Sequence, residues 1–245
     1  MSQTSHAVLI FGATGGVGGA LARRLASSGT PLFLTARREE PLAALAAELG
    51  ADYATSDATD WSEIDRVADL ARARFGTIGG MANCVGSLLL KPAHLTKFEE
   101  FQLTIAQNLT SAFGVVRAAA RVMPEGGAVV LCSTAASRIG LSNHEAIAAA
   151  KGGVNGLVLS AAATYASRGL RVNAVAPGLV DTPLTARITG SAPAVQASQA
   201  MHALGRIGQP DDVASLMAWL LGPDATWVTG QLYGVDGGLG TVRSK

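Results

Sequence analysis

Residues 7–25, AVLIFGATGGVGGALARRL, decide the fold. Five apolar residues run directly into a glycine-rich turn, and a series of good helix formers follows. Gly12 allows a tight turn, Gly16 would let the backbone approach a pyrophosphate, and Gly18 would let the helix pack closely on the strand. A helix that begins there directs its positive dipole end at a negative charge. The stretch predicts a strand, a phosphate-binding turn and a helix, although glycines alone also fit an ordinary α/β turn.

The rest of the chain repeats this alternation of a short apolar run with a longer stretch of helical period, which is typical of strand–helix units around a parallel sheet. The predicted strands are Ala7–Phe11, Leu32–Thr35, Asp52–Ala54, Gly80–Cys84, Ala128–Cys132, Arg171–Val175 and Leu232–Val235. The predicted helices are Gly16–Ser28, Glu39–Leu49, Ser62–Phe75, Phe98–Met123, His144–Ser167 and Asp211–Leu221. We therefore predict an α/β protein, a single-domain Rossmann fold over residues 1–245, whose doubly wound seven-stranded parallel sheet has helices on both faces.

The segment Pro177–Pro210 interrupts this alternation. It is too long for an ordinary connection and contains Gly, Pro, Ser and Thr throughout, so we predict an irregular substrate loop over about residues 177–210. Its few charges and its apolar residues indicate a small apolar substrate rather than a polyanion. The apolar residues are Leu184, Ile188, Val195, Met201 and Leu204.

Composition excludes several function classes. The 245 residues are 49% hydrophobic and 15% charged, which suits a large buried core and not a disordered chain. A formal charge of +1 provides no wide basic surface for nucleic acid. No apolar run approaches the roughly 18 residues that span a bilayer, and the polar start at residues 1–6 lacks a signal-peptide pattern. We expect a soluble cytoplasmic protein that binds a small molecule, with neither nucleic acid nor a membrane as a partner.

The two cysteines, Cys84 and Cys132, each close an apolar run. This position favours reduced thiols in a core over a disulfide framework or a zinc site, and redox sensing is the alternative. No metal site is predicted.

Six motifs in chain order resemble the short-chain dehydrogenase/reductase family over nearly the whole chain. They are the turn containing Gly12, Thr14, Gly16, Val17 and Gly18, the Ser56–Thr59 segment, the Asn83–Gly86 segment, Gln107–Leu109, Arg171–Gly178 followed by Thr182, and the C-terminal Gly230-Gln231 and Val235–Gly238. The Asn83–Gly86 segment carries two replacements relative to the family pattern.

The resemblance implies a dinucleotide cofactor and a role for most of these residues. Asp57 would meet the adenine amino group, although a loop carboxylate that caps the next helix is the alternative. The other cofactor-binding residues implied, besides the glycine-rich turn, are Asn83, Gly86, Lys151, Pro177, Gly178 and Thr182.

The choice of cofactor depends on the segment Thr35-Ala36-Arg37-Arg38, which directly follows the second predicted strand. An acid at this point accepts a hydrogen bond from a ribose 2′-hydroxyl, whereas an arginine pairs with a 2′-phosphate. Ala36 replaces the acid, and the guanidiniums of Arg37 and Arg38 suit a phosphate dianion. The segment favours NADP(H), with NAD(H) as the less favoured cofactor and a solvated basic turn as the alternative.

The family's proton chemistry is assigned to a Ser, a Tyr and a Lys four residues after the Tyr. Lys151 matches the Lys, Thr134 preceded by Ser133 stands at the Ser position, and Asn108 resembles the family's active-site Asn. Ile147 stands where the Tyr would be. An aliphatic side chain cannot transfer a proton, so the usual mechanism cannot operate unchanged.

His144 is a candidate substitute for the missing phenol. Residues seven apart differ by only about 20° around a helix axis, so His144 and Lys151 would share a face. The order Asn143-His144-x2-Ile147-x3-Lys151 resembles the enoyl reductases, with His in place of their Tyr. Alternatively, His144 only caps the helix, and the proton is carried by Thr134, Ser133 or water.

Three functions remain open at this point. The first is an NADP(H)-dependent reductase that acts on a small apolar carbonyl or an activated C=C bond. The second is a catalytically impaired NADP(H)-binding sensor or assembly protein, and the third is a non-redox enzyme such as an epimerase, dehydratase or lyase. The family resemblance also implies a homotetramer or homodimer.

Overall fold

Seven parallel strands form one sheet in the computed structural model, which describes residues 6–242. They are β1 Ala7–Phe11, β2 Leu32–Ala36, β3 Asp52–Thr55, β4 Ile78–Asn83, β5 Gly127–Cys132, β6 Leu170–Pro177 and β7 Leu232–Val235. Their order is β3-β2-β1-β4-β5-β6-β7. The direction of winding reverses between β1 and β4, so the predicted doubly wound sheet is confirmed. Residues 1–5 and 243–245 of the predicted domain lie outside the described residues.

Helices cover both faces of the sheet. They are α1 Gly16–Ser27, α2 Glu39–Leu49, α3 Trp61–Phe75, α4 Phe98–Ile105, α5 Ser111–Val122, α6 Glu145–Tyr165, α7 Ala186–Thr189, α8 Ala192–Met201 and α9 Pro210–Leu221. The predicted strand bounds agree with the observed ones to within two residues.

The two faces carry separate apolar cores, and β1 contributes to both. Leu9 and Phe11 pack with α3, α5 and α6, whereas Val8 and Ile10 pack with α1, α2 and α9. Successive strand side chains point to opposite faces, so a strand that is covered on both faces must be apolar throughout. This is why residues 7–11 form an unbroken apolar run.

Two predicted elements need correction. The predicted helix Phe98–Met123 is interrupted by a π-helical turn at Ala106–Thr110, which contains Asn108. The predicted irregular loop at residues 177–210 contains the helices α7 and α8. In α8, Pro193 stands in the first turn and Ala- and Gln-rich residues follow, so the Pro, Gly and Ser of this segment mark helix ends rather than a structureless loop.

Within residues 6–242, one helical segment, Glu145–Arg168, has the length and composition to cross a membrane. Val154 and Val158 on this segment are buried against the sheet. In the most apolar 18-residue stretch of this segment, 44% of the residues are buried in the fold.

Candidate active site at the carboxyl edge of the sheet

The turn between β1 and α1 has the geometry that its glycines predict. Gly12 adopts a φ of 76°, and its N–H donates to the Thr35 carbonyl at 2.9 Å. A Cβ on Gly12 would lie 2.9 Å from the Cys84 main chain, and one on Gly18 would lie 2.2 Å from the Gly12 carbonyl oxygen. Only glycine fits either position.

Thr182 lies against this turn. A Cβ on Gly16 would be 2.6 Å from Thr182 Cγ2, so the segment after β6 closes on the start of α1. Pro177 and Gly178 lie at the end of β6, and the Gly178 N–H donates to the Val235 carbonyl at 3.2 Å. The structure therefore brings together the glycine-rich turn and the Pro177–Thr182 segment, as the resemblance implies. Thr14 and Val17 lie half-buried in the same turn.

Arg37 and Arg38 follow β2 at the same edge and are exposed. Neither guanidinium forms a hydrogen bond or an ion pair with any residue from His6 to Val242. Most other arginines of the described chain are held by carboxylates or carbonyls. Both cations are therefore available to an anionic ligand.

Asp57 lies exposed after β3, where Oδ1 accepts hydrogen bonds from the N–H and hydroxyl of Thr59 at 2.9 and 2.8 Å. The cap of α3 is Asp60, which accepts from the Ser62 N–H at 2.8 Å. The alternative interpretation of Asp57 as the cap of the next helix is therefore wrong. Asp57 Oδ2 has no bond partner among the described residues.

Asn83 is buried at the end of β4, and its side chain forms hydrogen bonds within the protein. Its Nδ2 donates to Ser111 Oγ at 3.2 Å, and its Oδ1 accepts from the Val85 N–H at 3.0 Å. The side chain thereby fixes the start of the Asn83–Gly86 segment on α5.

Asn108 and Lys151 meet at Gly86. A Cβ on Gly86 would lie 2.9 Å from Asn108 Oδ1 and 3.7 Å from Lys151 Nζ. Asn108 lies in the π-helical turn, and its Nδ2 donates to the Thr104 carbonyl at 2.9 Å and to Ser87 Oγ at 3.0 Å. A single-turn π bulge reorients one side chain within a helix and is frequent at functional sites.

Lys151 is only 6% exposed and donates to the Cys132 carbonyl at 2.7 Å. An ammonium has three N–H donors, and no second acceptor for it occurs in the described part of the chain. Burial lowers the pKa of Lys151 below its usual value. A buried cation with unused donors is suited to hydroxyl groups or an anion of a ligand.

Ser133 and Thr134 differ in their surroundings. Ser133 is buried, and its hydroxyl contacts Asn155 Oδ1 at 2.6 Å and Ser137 Oγ at 3.1 Å. Thr134 is half-buried, and its Oγ1 accepts from the Ala136 N–H at 3.3 Å. Thr134 therefore presents the more available hydroxyl, and Ser133 holds β5 to α6.

His144 lies just before α6 and not in its first turn. Asn143 before it adopts a φ of 63°, in the left-handed region. His144 Nδ1 contacts the Ser142 carbonyl at 2.7 Å. Because a carbonyl only accepts, Nδ1 must carry hydrogen, and this assignment leaves Nε2 of a neutral ring as an acceptor. The ring bonds to the Ser142 turn, and no hydrogen bond joins it to Lys151 or Thr134.

Two residues that the sequence interpretation missed support this edge. Asn155, which holds Ser133, lies one helical turn after Lys151, so helical spacing could have revealed it. His202 is buried, with Nδ1 donating to the Ser198 carbonyl at 2.6 Å and Nε2 accepting from the Leu179 N–H at 3.3 Å. It anchors the end of α8 beside Gly178, a contact that no local pattern predicts.

A separate cleft of about 1060 Å³ lies near the opposite edge of the sheet. Its lining includes Arg171 and Trp227 but none of the candidate site residues. Arg171 bonds there to the carbonyls of Val228 and Gly222.

Several known proteins that are described as dehydrogenases or reductases are similar to this chain over almost its whole length. The family model for enoyl-(acyl carrier protein) reductase matches residues 12–240. The 3beta-hydroxysteroid dehydrogenase 1 of Eggerthella lenta is 33% identical, over 95% of this chain and 92% of the relative. The cis-4-hydroxycyclohexanecarboxylate dehydrogenase of Sinomonas cyclohexanicum is 34% identical, over 96% of each chain.

Two solved structures agree with the fold. A short-chain type dehydrogenase/reductase from Mycobacterium ulcerans superposes with a TM-score of 0.93 at 30% identity, over 100% of this chain and 93% of the other. A single-substitution variant of actinorhodin polyketide ketoreductase, determined with NADPH, gives a TM-score of 0.92 at 30% identity, over 98% of this chain and 99% of the other. The fold, the glycine-rich turn and these relatives together show that the chain belongs to the short-chain dehydrogenase/reductase family of oxidoreductases.

Proposed function

We propose that the protein is an NADP(H)-dependent reductase that acts on a small apolar carbonyl compound or an activated C=C bond through an atypical active site. The proposal rests on the surroundings of Lys151. Its buried ammonium donates one hydrogen bond to the Cys132 carbonyl and lies beside Gly86 together with Asn108. Burying a charge is costly unless a ligand or a partner compensates it. A ligand rich in hydroxyl and phosphate oxygens would do so.

The residues of this edge fit NADP(H) in five places. The first turn of α1 presents backbone N–H groups to a pyrophosphate. Arg37 and Arg38 provide two free guanidiniums for the 2′-phosphate, and Asp57 Oδ2 is available to the adenine amino group. Thr182, Pro177 and Gly178 would border the nicotinamide end, and Lys151 would bind the ribose. NADPH, when bound there, supplies a hydride.

Proton transfer must come from a group other than Ile147, which is 3% exposed and aliphatic. Thr134 provides an available hydroxyl two residues after β5. His144 can supply a proton to a substrate only if its ring turns away from the Ser142 carbonyl or is doubly protonated. We assign His144 as the first candidate and Thr134 or water as the second.

The buried Ile147 also favours a second candidate function, a protein that binds NADP(H) without catalysis. A relative that is 30% identical over 97% of this chain is described as the cyclic-di-GMP-binding biofilm dispersal mediator protein of Escherichia coli. That description concerns binding and not turnover. An intact cofactor edge and Lys151 would serve such a sensor equally.

The experiment is a scan of NADPH oxidation against ketones, quinones and enoyl thioesters, combined with a fluorescence titration of NADPH. Turnover on any of these substrates supports the reductase. Tight NADPH binding without turnover supports the sensor, and absence of NADPH binding contradicts both.

We further propose a homotetramer or homodimer in the cytoplasm. Apolar side chains are exposed along α4 and α5, where Phe98, Leu103 and Phe113 are 68%, 56% and 48% exposed. An apolar surface of this kind marks an interaction site. Light scattering after size exclusion would show a single species of two or four chains, and a monomer would contradict the proposal.

A further inference from the structure

Cys84 and Cys132 lie side by side at the carboxyl ends of neighbouring strands. Asn83 of β4 is in register with Leu131 of β5, so the next residue of each chain segment occupies the next position at this edge. Both cysteines pack against the core between the sheet and α1, α2 and α9, which places their side chains on the same face. Neighbouring strands are about 4.8 Å apart, within the range of about 4.4–6.8 Å for the Cα atoms of a disulfide.

Both thiols are free and partly exposed. Cys132 Sγ lies 3.9 Å from Met217 Sδ on α9. The adjacent Cys84 thiol, helped by the positive charge of Lys151 and opposed by burial, lowers the pKa of the Cys132 thiol. The adjacent Cys132 thiol and burial raise the pKa of the Cys84 thiol. The shift directions make Cys132 the more readily ionised thiol of the pair, which suits it to be the attacking thiol and Cys84 to be the resolving thiol.

We propose that Cys84 and Cys132 are a site of reversible oxidation by small hydroperoxides, where they close to a disulfide that weakens nucleotide binding at the adjacent edge. The Cys132 thiolate attacks the terminal oxygen of the hydroperoxide and the O–O bond breaks. The departing alkoxide, or hydroxide for hydrogen peroxide, takes up the proton that the Cys132 thiol released, so the products are a sulfenic acid on Cys132 and an alcohol or water. Cys84 sulfur then attacks Cys132 sulfur, its proton leaves with the departing hydroxyl as water, and the S–S bond forms. Two thiols are oxidised by two electrons and one peroxide is reduced.

The consequence for the site follows from the main chain of the two cysteines. The Cys132 carbonyl holds Lys151 Nζ at 2.7 Å. A Cβ on Gly12 would lie 2.9 Å from the carbonyl carbon of Cys84, so the Cys84 main chain packs closely on Gly12. Disulfide formation would draw the two residues together. It would therefore move both the carbonyl that binds Lys151 and the main chain that packs on the glycine-rich turn, and displaced ligand contacts weaken binding. This second half of the inference rests on the proposed cofactor site.

The test uses the full-length protein treated with hydrogen peroxide and then alkylated after denaturation, with peptide mass mapping. We expect a linked Cys84–Cys132 peptide within one chain, and recovery of both thiols with dithiothreitol. Cys84→Ser should leave a sulfenic acid on Cys132 that dimedone traps, whereas Cys132→Ser should alkylate more slowly with iodoacetamide. Two persistent thiols, or a disulfide only between chains, would overturn the inference.

The coupling to the cofactor is measured separately by NADPH titration. We expect the oxidised protein to bind NADPH at least fivefold more weakly, with recovery on reduction, and the variant carrying both Cys84→Ser and Cys132→Ser to be insensitive to peroxide. A disulfide with unchanged NADPH affinity overturns the coupling. Failure of the reduced protein to bind NADPH overturns the proposed function instead, and the mass map still decides the disulfide.

Discussion

Thr182 Cγ2 occupies the space that a side chain on Gly16 would need, at 2.6 Å from the position of its Cβ. Gly18 is different, because its Cβ would lie 2.2 Å from the main-chain oxygen of Gly12. A methyl group on a loop can move aside, whereas the backbone of a tight turn cannot.

The two glycines should therefore respond differently to alanine. Gly16→Ala should keep the free energy of unfolding within about 1 kcal/mol of wild type but weaken NADPH binding, because Thr182 is displaced. Gly18→Ala should lower the free energy of unfolding by about 2 kcal/mol or more. Urea unfolding and NADPH titration measure the two effects. A stable Gly18→Ala variant would contradict the close packing of α1 on the turn.

Arg37 should determine the preference between the two nicotinamide cofactors. We expect NADPH to bind at least tenfold more tightly than NADH, a difference of about 1.4 kcal/mol, because a phosphate–guanidinium contact is gained. Arg37→Asp should reverse the order, since a carboxylate repels the phosphate and accepts from a ribose hydroxyl. The control is Arg74→Ala, which removes an exposed arginine on α3 that pairs with Asp52. Equal dissociation constants in the wild type would refute the assignment.

His144 should contribute the general acid of the reaction. It lies at the residue before α6, three positions ahead of Ile147 and further from Lys151 in the chain. A conjugated enone or enoyl thioester separates its two reacting atoms more than a ketone does, so we expect reduction of an activated C=C bond to be preferred. His144→Ala should lower kcat about a hundredfold. If this variant retains full activity, Thr134 or water carries the proton.

Ile147→Tyr should create activity on simple ketones by placing a phenol one helical turn before Lys151. The site is buried, so the larger ring should also lower the free energy of unfolding by about 1–3 kcal/mol. Ile147→Phe has the same ring without the hydroxyl and controls for this strain. Steady-state rates on a ketone panel decide the matter, and equal rates in the two variants would show that the phenol is not used.

Asp212 should stabilise the protein above its own pKa. Its carboxylate binds Arg206 at 2.7 and 2.9 Å and the Gln209 N–H at 2.7 Å, and the bond to Arg206 is the main cause of a pKa lowered to about 2. Since an unfolded Asp has a pKa of about 3.9, this stability is present above about pH 4 and is lost as the pH falls toward 2.

Asp212→Asn should therefore lower the free energy of unfolding by about 1 kcal/mol at pH 7, a value that allows for solvent screening of a partly exposed pair. The difference from wild type should vanish near pH 2. Urea unfolding at several pH values measures it, and a constant difference across this range would show that the charge of Asp212 is not responsible.

The sequence alone determined the strands, most helices and the position of the glycine-rich turn. Strand β1 is buried on both faces and must be apolar throughout, and Gly12 and Gly18 occupy positions where any Cβ would collide with main-chain atoms. Both constraints restrict the residue types at neighbouring positions, so they produce a local sequence pattern from which the elements can be predicted.

Only the tertiary structure decided how distant side chains meet. The π-helical turn at Asn108, the bond from Lys151 to the Cys132 carbonyl and the approach of Thr182 to Gly16 depend on the packing of separate elements. His144 lies before α6 because the left-handed Asn143 ends the preceding turn there, which helical spacing could not reveal. The neighbouring thiols of Cys84 and Cys132 likewise follow from strand register, a property that two strands share and neither strand's sequence contains.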